Sequence, residues 1–215
     1  MDLERITREV EWQVLRDTRS KGAVNRRLDP DLTAATLPGA LSLELLCPQC
    51  TPERVETLCR GARKQGAAAV TVLPAFVSAG RSALGGSMTA LTAAIGYPWG
   101  SLTPAARTAL TRDCLVSGAD VVEIAFDMAA LRSGRLGEEQ LALEELGRLA
   151  ASYGAALAVG VDLRLLERME QVEVLTALRR TGAAMVSLRR CRGAGDVRLA
   201  RELMGGQMAV KAAGP

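Results

Sequence analysis

Residues 118–126 read Gly118-Ala119-Asp120-Val121-Val122-Glu123-Ile124-Ala125-Phe126, a glycine leading into an apolar run broken by one carboxylate. Upstream, Thr103-Pro104 marks a helix start, because the threonine oxygen can cap free N–H groups while a proline at the first helical position has no N–H to leave unpaired. Helix start, glycine stop, then a short apolar run is how successive βα units are written. The same cadence recurs from residue 41. Its apolar runs are Leu41–Leu46, Ala69–Leu73, Leu91–Gly96, Val121–Phe126, Ala156–Val161, Met185–Leu188 and Met208–Ala212. Each is nearly continuous in apolar character, as strands covered on both faces by helices tend to be, so the chain is expected to be α/β with a mainly parallel sheet.

The helices between these runs carry further punctuation. Thr51-Pro52-Glu53 repeats the capped start, and Gly66, Gly118, Gly154, Gly182 and Gly205-Gly206 stand where a helix must end in a left-handed residue before the next strand. Val55, Leu58, Cys59 and Ala62 predict the buried stripe of one helix, and Leu141, Glu145 and Leu149 that of another. Residues 1–40 are different. Leu3, Ile6, Val10 and Val14 form an apolar stripe on an otherwise charged helix, followed by a linker rich in Pro, Gly and Asp. That segment is read either as a helix covering the bottom of the main domain, residues 41–215, or as a docking helix through which residues 3–19 meet another protein.

Composition narrows the function. At 215 residues and 48 % hydrophobic content, one domain with a large core is expected. A net charge of +3 and six aromatic residues leave neither an electrostatic footprint nor stacking platforms for nucleic acid. The charged start, Met1-Asp2-Leu3-Glu4-Arg5, and the absence of a long apolar run predict a cytoplasmic protein with no membrane partner. Five cysteines suit reduced thiols more than a disulfide framework. The absence of histidine removes the commonest general base and metal ligand, and with it any Ser-His or Cys-His nucleophile pair. No glycine-rich stretch forms a dinucleotide fingerprint, and no cofactor or metal site is expected.

Several motifs resemble the deoxyribose-phosphate aldolases, the class I aldolase family of DeoC type. Leu45–Pro74 resembles that family's opening, Ala94-Ile95-Gly96-Tyr97-Pro98-Trp99-Gly100 its V-I-G-F-P-x-G, and Gly118–Glu123 its G-A-D-E-[IV]-D. Ala130-Leu131-Arg132-Ser133-Gly134 is similar to A-L-K-S-G, and Val210-Lys211-Ala212-Ala213-Gly214 to V-K-A-S-G. The resemblance covers about residues 41 to 215 in order, and it implies a TIM-type (β/α) barrel of which seven strands are recognisable and the eighth βα unit, with its phosphate loop, is missing. It also implies an imine-forming lysine on strand six, with a second lysine on strand seven and an aspartate on strand four for proton transfer. The strand-six V-K-T-S aligns with Val186-Ser187-Leu188-Arg189, so Ser187 stands at the lysine position; Glu123 replaces the aspartate, and Lys211 matches the second lysine. The strand-two polar position reads Leu73, and the lysine before V-I-G-F-P reads Ala90.

Alternation along a strand puts Glu123, Ala125 and Asp127 on one side, and by the same parity Ser42, Glu44, Asp162, Ser187, Arg189 and Lys211 become candidates for the barrel lumen. They are read either as a residual carbonyl or phosphate site with Lys211 beside Glu123 or as a salt-bridged plug. Arg189, Arg190 and Arg192 are candidates to bind a phosphorylated small molecule, with Asp127, Asp162 and Gly214 as further substrate contacts, or else a solvated charge run. Cys47-Pro48-Gln49-Cys50 has the spacing of a redox pair or half a zinc site, and is otherwise two thiols in a loop. Two functional expectations follow. One is an aldolase relative without catalysis, a scaffold or partner subunit in a homo- or hetero-oligomer that covers the open barrel edge. The other is an active aldehyde-lyase cleaving a phosphorylated sugar such as 2-deoxyribose 5-phosphate, with Lys211 as nucleophile and Glu123 as proton carrier, or with carboxylates holding a metal.

Overall fold

A computed structural model describes residues 37–191 and 193–213. The expected N-terminal helix and docking segment, Arg192 and Gly214 lie outside the described residues. Seven strands form one sheet, in the order of the chain: β1 (Ser42–Leu45), β2 (Ala69–Val72), β3 (Ala90–Ile95), β4 (Val121–Ala125), β5 (Ala156–Asp162), β6 (Met185–Arg189) and β7 (Ala209–Ala212). All six pairings are parallel. The helices between them are α1 (Pro52–Gln65), α2 (Val77–Leu84), α3 (Pro104–Val116), the short α4 (Met128–Arg132), α5 (Leu136–Ser152), α6 (Arg168–Leu178) and α7 (Ala194–Met204).

The predicted punctuation is realised. Thr51 and Thr103 cap α1 and α3 by accepting hydrogen bonds from Arg54 N at 3.4 Å and Ala106 N at 3.3 Å. Gly66 closes α1 at φ +69°, returning N–H groups to the last carbonyls and turning the chain into β2. Val70, Val72, Leu91, Ala93, Ile95, Val122, Ile124, Phe126, Leu157, Val159, Val161, Val186 and Leu188 form the face of the sheet on which the helices pack. Against it lie Val55, Cys59 and Ala62 of α1, with Leu58 half-buried beside them. The stripe expected on α5 is different. Leu141 is 60 % exposed, and the buried face is Glu139, Leu143, Leu146 and Ala150. A charged residue belongs to the buried face, so apolar spacing alone points to the wrong side.

The opposite face of each strand carries smaller and more polar residues: Ser42, Glu44, Thr71, Thr92, Ala94, Glu123, Ala158, Gly160, Ser187, Arg189 and Lys211. In a flat sheet, β1 and β7 would be about 29 Å apart, six spacings of roughly 4.8 Å. Yet Lys211 of β7 touches Glu44 of β1 and Thr71 of β2. The sheet therefore curls around these side chains as a barrel wall does, and the polar face becomes a lumen. β1 and β7 are not paired with one another, so each keeps one free edge among the described strands.

Candidate functional site in the lumen

Four ionised side chains from four strands meet inside the curl. The Arg189 guanidinium binds Glu44 Oε2 at 2.5 Å through Nη1 and Glu123 Oε1 through Nη2. Lys211 Nζ lies 2.5 Å from Glu44 Oε1, 3.3 Å from Glu123 Oε2 and 3.2 Å from Thr71 Oγ1. Two carboxylates and two cations thus close a ring with no net charge. The Glu123 side chain is 3 % exposed, Arg189 11 % and Lys211 14 %, so the ring is largely shielded from water and salt. Burial acts to lower the Arg189 pKa, but attraction to Glu123 and then Glu44 outweighs it and raises the value above the ordinary guanidinium range. The charge on Arg189 is permanent.

Small neighbours make this packing possible. A Cβ on Gly160 would stand 3.0 Å from Glu123 Oε1 and 3.8 Å from Arg189 Nε, so any larger residue there would press on the ion pair. Tyr97, in the loop after β3, lies against Arg189 with its ring centroid 5.4 Å from the guanidinium carbon, a cation–π contact. That loop is fixed in turn: Gly100 has φ +72°, and a Cβ there would fall 2.5 Å from Phe126 O. Thr71 and Ser42 join the lumen network through a hydroxyl contact of 3.4 Å.

Ser187, at the position of the family's strand-six lysine, is fully buried, and its Oγ has no hydrogen-bond partner among the described residues. It stands in register between Gly160 and Lys211. Of the other sequence candidates, Asp162 sits at the end of β5, pairs with Arg190 and accepts Arg164 N at 3.1 Å. Asp127 lies beyond β4, where the chain has already turned: its Oδ1 caps α4, accepting from Ala129 N at 2.8 Å and Ala130 N at 3.2 Å. Neither joins the ring of Glu44, Glu123, Arg189 and Lys211. Both guanidiniums of the expected phosphate loop that fall among the described residues, Arg189 and Arg190, are engaged by carboxylates of the chain itself.

Sequence reasoning passed over three contributors. Thr71 shares its parity with Glu44, its register partner, and that alternation was the available signal. Tyr97 gave no signal for its contact with β6. Nor did the buried Arg107–Glu139 pair, in which Nη1 lies 3.0 and 2.8 Å from the two carboxylate oxygens. Arg107 Nη2 also donates to Gly100 O at 3.3 Å, and Asp127 N donates to Glu139 Oε1 at 3.2 Å, so this pair ties together the loops after β3 and β4. Burial raises the Glu139 pKa against the opposing pull of Arg107. Among the described residues, no group of three or more Cys, Asp or Glu side chains is placed to hold a metal ion, and no helix is long and apolar enough to cross a membrane.

A parallel sheet in chain order, a helix after each of its first six strands, and a charged lumen inside the curl define an α/β barrel of the TIM type. No family model matches the chain. It is 31 % identical over 176 residues to the deoxyribose-phosphate aldolase of Streptococcus suis (strain 98HAH33), covering 79 % of each chain. It is 29 % identical over 175 residues to that of Streptococcus gordonii, again with 79 % of each covered. The tetrameric deoxyribose phosphate aldolase from Aeropyrum pernix superposes with a TM-score of 0.74 at 23 % identity, over 93 % of this chain and 84 % of that one. The chain belongs to the deoxyribose-phosphate aldolase family.

Proposed function

We propose that this protein is a non-catalytic member of its family, acting as a scaffold or partner subunit. The observation that carries the reading is the state of Lys211, the one lumen lysine among the described residues. Imine formation needs a nitrogen with a free lone pair. Lys211 Nζ donates to Thr71 Oγ1 and Glu123 Oε2 and lies 2.5 Å from Glu44 Oε1, so the nitrogen is held between two carboxylates and would have to leave them to attack a carbonyl. Ser187, at the strand-six position, has a hydroxyl that cannot form an imine, and among the described residues its Oγ has no hydrogen-bond partner that could act as a base.

Borohydride treatment with deoxyribose 5-phosphate or acetaldehyde, followed by intact-mass measurement and peptide mapping of Lys21, Lys64 and Lys211, tests this reading. The expected result is no adduct on Lys211. An adduct there, lost in Lys211→Ala, would establish instead an aldehyde-lyase using Lys211 with Glu123, which lie 3.3 Å apart.

The subunit role rests on the free edges of β1 and β7, since exposed parallel strand edges are ordinarily covered. Light scattering on the purified protein at micromolar concentration is expected to give a mass above that of one chain. A stable monomer would remove the support for self-association.

A further inference from the structure

The loop after β1 carries chemistry that the lumen does not use. Cys47 and Cys50 bracket a turn closed by Cys50 N donating to Cys47 O at 3.2 Å, and their sulfurs lie 3.5 Å apart. A β-turn holds its first and fourth Cα atoms within about 7 Å, which overlaps the separation a disulfide requires. Closing the bond needs the sulfurs to move together, not the backbone to refold. Both residues are half-buried at the rim, and α1 begins immediately after them behind its Thr51 cap.

The two sulfurs are not equivalent. The Arg54 guanidinium donates to Gln49 O at 2.9 Å and lies 3.9 Å from Cys47 Sγ. The hydrogen bond from Cys50 is the largest influence lowering the Cys47 thiol below its ordinary range; the Gln49 backbone and Arg54 add to it against the opposing effect of burial. Cys50 Sγ lies 3.4 Å from Leu45 O, an alternative acceptor for its one S–H, and burial raises its thiol above the ordinary range. One sulfur beside a cation and a second in reserve is the division of labour between an attacking and a resolving thiol.

The other cysteines do not share this setting. Cys59 and Cys114 are fully buried, and burial holds the Cys114 thiol up at about 12. Cys191 is half-buried, contacts Leu188 O at 3.5 Å, and is likewise raised by burial.

We propose that Cys47 and Cys50 form a thiol–disulfide exchange site on the barrel rim that takes small disulfides of the glutathione class. The Cys47 thiolate attacks one sulfur of the disulfide; the S–S bond breaks and one glutathione thiolate departs, leaving a mixed disulfide on Cys47. Cys50 then gives its proton to solvent and attacks the Cys47 sulfur, expelling the second glutathione thiolate. Two protein thiols are oxidised, and one glutathione disulfide is reduced to two thiols.

The test exposes the full chain at neutral pH to glutathione disulfide and reads intact mass and peptide maps over time. Wild type is expected to lose two hydrogens and yield a Cys47–Cys50 cross-linked peptide. Cys50→Ser should stop at one glutathionyl group on Cys47, and Cys47→Ser should leave Cys50 unmodified over the same interval. Iodoacetamide should label Cys47 at least about tenfold faster than Cys191. Wild type that stays reduced under excess disulfide, or glutathionylation of Cys191 as fast as Cys47, would overturn the proposal, and neither result depends on a variant folding.

Discussion

Replacing Glu123 by glutamine will cost about 3–5 kcal/mol of folding stability, read as a fall in the urea midpoint at unchanged slope. The substitution keeps shape and volume, so the loss is electrostatic. In the native ring, two carboxylates neutralise Arg189 and Lys211. Without Glu123, both cations share Glu44 in a largely desolvated space, and one buried positive charge is left uncompensated. Two features distinguish this from loss of a surface ion pair, which is worth about 1 kcal/mol or less. The effect should change little with salt, because the Glu123 side chain is only 3 % exposed. It should also be recovered in the double variant Glu123→Leu with Arg189→Met, which removes one charge of each sign and leaves Glu44 with Lys211. If the single and double variants are equally unstable, the ring is not electrostatically coupled as its geometry indicates.

Much of this architecture is legible because strands buried on both faces announce themselves. The run Val121–Phe126 is observed as Val121–Ala125, and the other six strands fall within a residue or two of their apolar runs. The lumen set of Glu44, Glu123, Ser187, Arg189 and Lys211 follows from alternation alone, since a period of two leaves no choice of face once Val122 and Ile124 are assigned to the helices. Asp127 shows where that logic ends. Alternation holds only while the chain is extended, and after Phe126 the backbone turns into α4, where Asp127 serves as its cap.

The pairing inside the lumen is a different kind of information. Glu44 and Lys211 are 167 positions apart and meet because the sheet curls, a property of seven strands packed together and not of either segment. The buried face of α5 escaped detection for a related reason. Glu139 is tolerated there because Arg107, 32 residues upstream, reaches across to satisfy it. Local spacing can display a charge on a helix but cannot display the partner that makes it a core residue.

Placing lysine at position 187 will test how far this lumen lies from imine chemistry, and the expected result of Ser187→Lys is a borohydride-trapped aldehyde adduct on that position where wild type gives none. Ser187 faces the lumen between Gly160 and Lys211, and its Oγ satisfies no partner, so the change removes no hydrogen bond, but the longer side chain must displace the Glu123–Arg189 pair that packs against Gly160. A new amine there would stand among the cations of Lys211 and Arg189. Like charges and desolvation disfavour its protonation, as a lysine nucleophile needs, against the opposing pull of the Glu44 and Glu123 carboxylates of the same ring. Glu123, already in reach of Lys211, would be at hand to take the proton released. Overpacking should cost roughly 1–3 kcal/mol, so the variant is first compared with wild type by near-ultraviolet circular dichroism. A folded variant that forms no adduct would mean that the ion-pair ring bars aldehydes from the lumen whichever residue occupies strand six, and the proposed lack of catalysis would then rest on the plug as much as on the absent lysine.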